Sequence, residues 1–275
     1  MMATLFAQEF RTTRKNLLST VGIVVLVAAV SLTLAAVRVP VIDGFALGVG
    51  ILLAIVVTPL VLGILVENYW RTMYGREGYF TMTLPVRGRT LFAAKVVYGF
   101  VATLAALVVT AIMLLAAGVA FAFLKGQEPF SFVIELFTTV EPWMVWFAVF
   151  AMLLQVVYLV VVGAAVMSIG AEGRFNHLGF GAPVLGGVIV YLVMQIVTLA
   201  AVLFIPFGIV LIGPDAGSIV GQGMLDSFIA EISGGASESL APQVLGLGFM
   251  ITSVAATVLL AWVGARSVEK RTSLR

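Results

Sequence analysis

Very few side chains in this sequence could carry out covalent or acid–base chemistry. His177 is the only histidine, with Glu172 and Arg174 close by in sequence, and the chain has no cysteine. A metal centre draws on several ligands at once, so His177 reads as a surface residue. Glu135 and Glu141 precede an apolar run, but a hydrolase needs paired carboxylates or a nucleophile with its base. No Gly-x-x-x-x-Gly-Lys-Ser/Thr run is present, so the chain lacks a phosphate loop of the Walker type. The catalytic set is empty, and the reading is that this chain is not an enzyme. What stands out is a recognition stretch, Met73 to Val86, which is aromatic, charged and punctuated by glycine between two apolar runs.

Composition sets the class that must position this stretch. Of 275 residues, 62% are hydrophobic and 10% charged, against about 25% charged in soluble domains. An integral membrane protein is expected, all-α, as a single transmembrane domain over residues 1–275. The basic residues flank apolar segments instead of forming a run, so a nucleic-acid partner is not expected. Six apolar segments reach spanning length: Leu17–Val37, Phe45–Val66, Leu91–Leu124, Trp143–Ile169, Phe180–Ile212 and Val244–Ala265. About 20 helical residues cross the ~30 Å hydrocarbon core. The third and fifth segments exceed that, and must tilt, kink or project. Pro59, Pro183 and Pro206 are candidate kinks.

Charge orients the spans. With the N-terminus inside, 13 of the 15 basic residues lie on the inner side, and only Arg38 and Lys125 lie outside. The positive-inside rule selects this orientation, with both termini cytoplasmic. The first apolar run exceeds the ~7–15 residues of a signal-peptide core and reads as a retained span.

Between the spans, Met2, Leu5, Phe6 and Phe10 recur at helical spacing ahead of Arg11, Arg14 and Lys15. This pattern predicts an amphipathic helix over residues 1–16 lying in the inner interface. Glu9 interrupts its apolar stripe, and a basic flank that merely orients the first span is the alternative. Residues 67–90 form an inner connector, helical from Asn68 to Gly75, loosened at Gly78 and stopped by Pro85. Thr90 is a candidate cap for the third span. Lys95, one turn in, is expected to snorkel to the interface. The outer connection, residues 213–243, is rich in glycine, has four acids and no lysine or arginine. Its short apolar stretches, Met224-Leu225 and Phe228-Ile229-Ala230, suit either two re-entrant helices or a flexible loop.

The connector resembles a known family. Glu77-Gly78-Tyr79-Phe80-Thr81-Met82-Thr83-Leu84-Pro85-Val86, followed by Lys95, is similar to the Glu-Gly-Tyr-(Leu/Phe)…Thr-Leu-Pro-Val…Lys signature of bacterial ABC-2 type permeases. These are membrane subunits of ATP-binding-cassette transporters. The resemblance implies a half-transporter that pairs with a second copy or a related permease chain in the bacterial cytoplasmic membrane. It implies a coupling helix in the connector that docks on a separate ATPase subunit, which would hold ATP and Mg, with no cofactor on this chain. On that model Tyr69, Trp70, Met73 and Tyr74 anchor the contact, Arg71, Arg76 and Glu77 fix its register, and Gly78 breaks the helix. An aromatic belt at the membrane surface accounts equally for Tyr69 and Trp70.

The family likeness also places the second and fifth spans along the transport path, where this chain offers Thr58, Gln195, Thr198 and Phe204. Intramembrane polar groups face protein or a cavity, although Gln155 and Gln195 serve equally as helix–helix contacts. With no charge deep in any span, the expected cargo is hydrophobic or amphipathic (a drug, peptide or lipid), and the expected direction is export. Two alternatives stand beside this: an ATP-independent secondary transporter or channel, and a membrane assembly or sensor subunit that transports nothing.

Overall fold

The computed structural model describes residues 2–38, 42–75, 77–83, 85–211, 215–221, 224–225, 229 and 244–270. Eight α-helices occur among them: α1 (Met2–Ala36), α2 (Asp43–Met73), α3 (Gly78–Met82), α4 (Gly88–Lys125), α5 (Ser131–Thr139), α6 (Pro142–Gly170), α7 (Gly181–Phe204) and α8 (Gly248–Lys270). A 3-10 helix covers Gly173–Leu178. All except α3 and α5 are long and apolar enough to cross a membrane, as in a multi-pass membrane protein. Between 6% and 22% of each apolar window is buried inside the chain. So much exposed apolar surface suits a lipid surround, where side chains need no shelter from water.

Two compact units are present, Met1–Glu141 with Ala265–Arg275, and Pro142–Gly264. In the first, α1, α2 and α4 pack together. Their seam is built mainly from small residues: Ala28, Ala54, Val57, Val61 and Ala106 with Met113, then Leu32, Ala35, Ala46, Leu47, Ala117 and Ala120. Small side chains let helix backbones approach closely, and van der Waals contact is the main attraction between helices in lipid. Gly118 leaves room for the Phe132 ring of α5. Helix α4 stops at Gly126, whose φ of 71° places it in the left-handed region that favours glycine. There Arg38 donates from Nε to the Phe123 carbonyl at 2.8 Å. That contact gives a role to one of the two basic residues that the charge count expects outside: it satisfies a carbonyl at the helix end and complements its partial negative charge. At the other end of α4, Arg89 pairs with Glu269 of α8 at 2.6 Å.

In the second unit α6 packs on α7. Three short strands follow, β1 (Gly208–Val210), β2 (Ile219–Val220) and β3 (Val244–Gly246), paired antiparallel in the order β2-β1-β3. Ile209 lies opposite Ile219 and Leu245.

Several expectations are corrected here. The all-α class holds, with three short strands beside the helices because β-branched pairs after Pro206 favour extended pairing. The fifth span therefore ends at Phe204, not Ile212, and the sixth begins at Gly248, not Val244. Pro59 lies inside α2. Pro183 occupies the first turn of α7, where its missing amide costs no helical bond, and Pro206 falls beyond that helix. The interfacial helix over residues 1–16 is not a separate element: α1 runs unbroken from Met2 to Ala36, with no glycine or proline before Gly22. The connector holds the tail of α2 and then the five-residue α3. Helix α5 was not anticipated. The re-entrant helices expected between Met224 and Ala230 fall largely outside the described residues.

Gly170 of α6 lies tight against α7: a Cβ there would lie 2.6 Å from the Pro183 ring and its nitrogen. Gly170→Ala is expected to lower stability by about 1–3 kcal/mol through overpacking against a rigid ring. Gly48→Ala, with open space around it, is expected to be neutral or stabilising. Thermal unfolding of both variants in detergent, followed by size exclusion, measures the difference.

Candidate functional site

A buried polar cluster lies where α1, α2 and α4 meet the connector. Its centre is Lys95, on the inward face of α4 with a side chain only 4% exposed. Lys95 Nζ donates to Glu9 Oε1 at 2.5 Å and to Thr72 Oγ1 at 2.7 Å. It also sits 5.6 Å from the centre of the Tyr69 ring, within cation–π range. Thr72 in turn donates to the Asn68 carbonyl at 2.7 Å. Asn68 Nδ2 donates to Glu9 Oε2 at 3.2 Å. Both carboxylate oxygens of Glu9 are thus engaged, as burial of a charge requires.

The sequence explains this convergence. Asn68 and Thr72 are four apart on α2 and share one face. Glu9 and Thr13 are four apart on α1, and Thr13 shares a hydrogen bond with the Tyr98 hydroxyl. Phe6 packs edge-on against Tyr98 with centroids 5.3 Å apart. The first turns of α1 therefore pack on α2 and α4, not only on lipid. Glu9 is no flaw in an apolar stripe, and Lys95 does not snorkel outward. Each is the other's counter-ion.

The cluster extends into the connector. Thr81 of α3 donates to the Thr72 carbonyl at 2.7 Å, so one residue of α2 bonds both Lys95 and α3. Arg71 reaches Glu77 at 3.5 Å and donates to Asn68 Oδ1 at 3.3 Å. A cleft of about 430 Å³ opens beside the ion pair, bordered by Glu9, Lys95, Thr72, Glu77, Phe80 and Thr81.

Of the residues expected to couple to a partner, Tyr69 and Met73 are buried within the chain itself, because their face of α2 turns into the bundle. Trp70 and Tyr74 are half-buried, with rings 5.5 Å apart. Arg71 and Glu77 are exposed, and Gly78 is buried at the start of α3. Arg76 lies outside the described residues. The outward aromatics are instead Tyr79 and Phe80, at 59% and 79% exposure. Their signal was present in the Gly-Tyr-Phe sequence, but only the pitch of α3 shows which way they face.

The expected path residues divide between the two units. Thr58 of α2 shares a 3.1 Å hydrogen bond with Thr110 of α4 in the first unit, a helix–helix contact. Gln195, Thr198 and Phe204 all belong to α7 in the second, where Gln195 and Phe204 are exposed and Thr198 half-buried. His177 is exposed in the 3-10 helix, and nearby Arg174 pairs with Glu172 at 2.9 Å.

Removing one member of the Glu9–Lys95 pair strands the other charge. Glu9→Leu or Lys95→Met alone is expected to destabilise by about 3 kcal/mol, the low end of the buried-pair range because Glu9 keeps some water contact. The double variant should recover most of that loss. Thermal unfolding of the four proteins in one detergent closes the cycle, and additive losses would show that the pair is not coupled. Comparison with protein-family models, with curated proteins and with solved structures returned no match for this chain.

Proposed function

We propose that this chain is the permease subunit of an ATP-driven transporter of the ABC-2 class, and that α3 is its coupling element. The observation that carries the reading is the mounting of α3. It is a short helix with two exposed aromatics, Tyr79 and Phe80, anchored through Thr81 to Thr72 and hence to the Lys95–Glu9 pair. A partner that displaces α3 acts on α1, α2 and α4 together, because the polar cluster ties all three. Exposed aromatic side chains beside charge suit a compact protein contact, in which a few anchors dominate the binding energy. Arg71 and Glu77 flank that face and fix register. The connector's likeness to the permease signature supports the same reading.

On this proposal the ATPase is a separate cytoplasmic chain that holds ATP and Mg, and hydrolysis there drives α3. A second permease, identical or related, completes the transporter in the bacterial cytoplasmic membrane. The exposed apolar length of α7, from Val184 to Leu199, offers a face for it. The cargo is hydrophobic or amphipathic and moves outward.

One observation favours a second reading, an ion-coupled secondary transporter: such proteins use buried ionisable residues, and Glu9–Lys95 is a buried ionisable pair. Its depth argues against that role. Lys95 lies seven residues into α4, about 10 Å from the helix start at 1.5 Å per residue, not at the middle of the span.

Affinity capture of the full-length protein from native membrane should bring down a nucleotide-hydrolysing subunit. Phe80→Asp, which places a charge in the apolar contact, should weaken that capture by about tenfold or more while leaving the permease's own unfolding temperature unchanged. Cargo movement by the isolated subunit in vesicles without nucleotide would overturn the assignment in favour of the ion-coupled reading.

A further inference from the structure

A second cleft, of about 420 Å³, lies between α1 and α2, bordered by Thr12, Lys15, Asn16, Ser19, Glu67 and Arg71 among others. Its position along the helices is informative. The apolar run of α1 begins at Leu17 and that of α2 ends at Val66, so the cleft straddles the boundary between polar and apolar surface. That is the depth of lipid headgroups.

Its chemistry is mixed in sign. Lys15 and Asn16 bring donors, and among the described residues neither side chain has an ion pair or hydrogen bond. Arg71 keeps donors beyond those used on Asn68 and Glu77. Glu67 supplies a carboxylate that pairs with no described residue. Thr12 and Ser19 donate their hydroxyl protons to the Gln8 and Asn16 carbonyls at 2.9 and 3.0 Å, which leaves their oxygens as acceptors. Two cations with an amide recognise a phosphodiester. A free carboxylate among acceptor oxygens recognises a primary ammonium and repels a second anion.

Below the cleft the same helix faces turn apolar and low. About two to three turns from Lys15, α1 presents Gly22, Ile23 and Leu26, with Ile23 and Leu26 each 65% exposed. On α2, Gly63 lies about two turns from Arg71. A Cβ at Gly22 or at Gly63 would meet nothing within 4 Å. Both glycines therefore face open space next to the cleft, on the same helix faces, where an acyl chain can lie.

We propose that this cleft binds phosphatidylethanolamine, with the phosphodiester on Lys15, Asn16 and Arg71, the ammonium on Glu67, and an acyl chain along Gly22 and Gly63. The site requires only that the helices cross a membrane, and it does not depend on the ATPase reading. Native mass spectrometry of the purified full-length protein in detergent tests it with three probes: phosphatidylethanolamine, phosphatidylglycerol and soluble glycerophosphoethanolamine. The ethanolamine lipid should be retained about tenfold over phosphatidylglycerol, the worth of one charge-assisted contact. The soluble headgroup, lacking acyl chains, should not be retained. Lys15→Glu should cut retention of the ethanolamine lipid by a similar factor, with Asn16→Asp as a second variant of the same sign. Glu67→Gln should erase the preference between the two lipids without abolishing binding. Equal retention of the two lipids by the unsubstituted protein, indifference to Lys15→Glu and Asn16→Asp, or retention of the soluble headgroup as strong as that of the lipid would each overturn the proposal. Unchanged unfolding temperatures confirm that these exposed substitutions leave the fold intact.

Discussion

A carboxylate and an ammonium drawn out of water must meet each other or go uncharged, and in this protein Glu9 and Lys95 meet. The attraction between them rises as the surroundings dry, but so does the cost of removing both from solvent. Such a pair is therefore weak evidence of added stability and stronger evidence of a fixed arrangement. Leucine and methionine in those places could pack in several registers. A lysine with one carboxylate, one hydroxyl and one ring around it has far fewer solutions. The first turns of α1, the last turns of α2 and the first turns of α4 are all held to that solution.

The arrangement matters because the rest of the α1–α2–α4 seam is permissive. Alanine and valine against alanine and valine allow helices to slide, since neighbouring registers present similar surfaces. The seam has polar contacts at three heights: Arg38 on the Phe123 carbonyl at one end, Thr58 with Thr110 within the span, and the Glu9 cluster at the connector end. The outer two fix the ends of the bundle, and the connector hangs from one of them. Thr72 bonds Lys95 by its hydroxyl and Thr81 by its carbonyl, so one residue links α3 directly to the ion pair, beside a longer route from Glu77 through Arg71 and Asn68.

Much of this was legible in the sequence, and the failures have physical causes. Six apolar stretches of spanning length become six helices, because in hydrocarbon the backbone must satisfy itself and a helix is the local way to do so. The ends were less legible. Ile209 and Val210 read as span by hydropathy, yet they pair as strand after Pro206, since hydropathy records burial and not backbone geometry. Taken one at a time, Lys95 reads as a snorkelling lysine and Glu9 as an interruption of an apolar stripe. Their separation of 86 residues hides a pairing that no local window detects. Charge counting placed both on one side, and a carboxylate inside an apolar stripe beside a lysine inside a span was the available clue.

The connector shows the same limit from the other direction. The family resemblance implies a contact surface made of its aromatics and charges, whereas Tyr69 and Met73 are taken into the chain's own core and Tyr79 and Phe80 face out. A helix that continues past the apolar span must still bury one side against its neighbours, so residues on that side are spent on the fold whatever their chemistry. The five-residue α3 turns Gly78 and Thr81 inward and leaves two adjacent aromatics outward. Its stability must then come from outside itself, because an isolated turn does not persist in water. The bond from Thr81 to Thr72 is such a support. On the coupling role proposed for α3, its exposure and the buried ion pair behind it are two halves of one requirement, because a docked surface would transmit force only as far as its mounting is rigid.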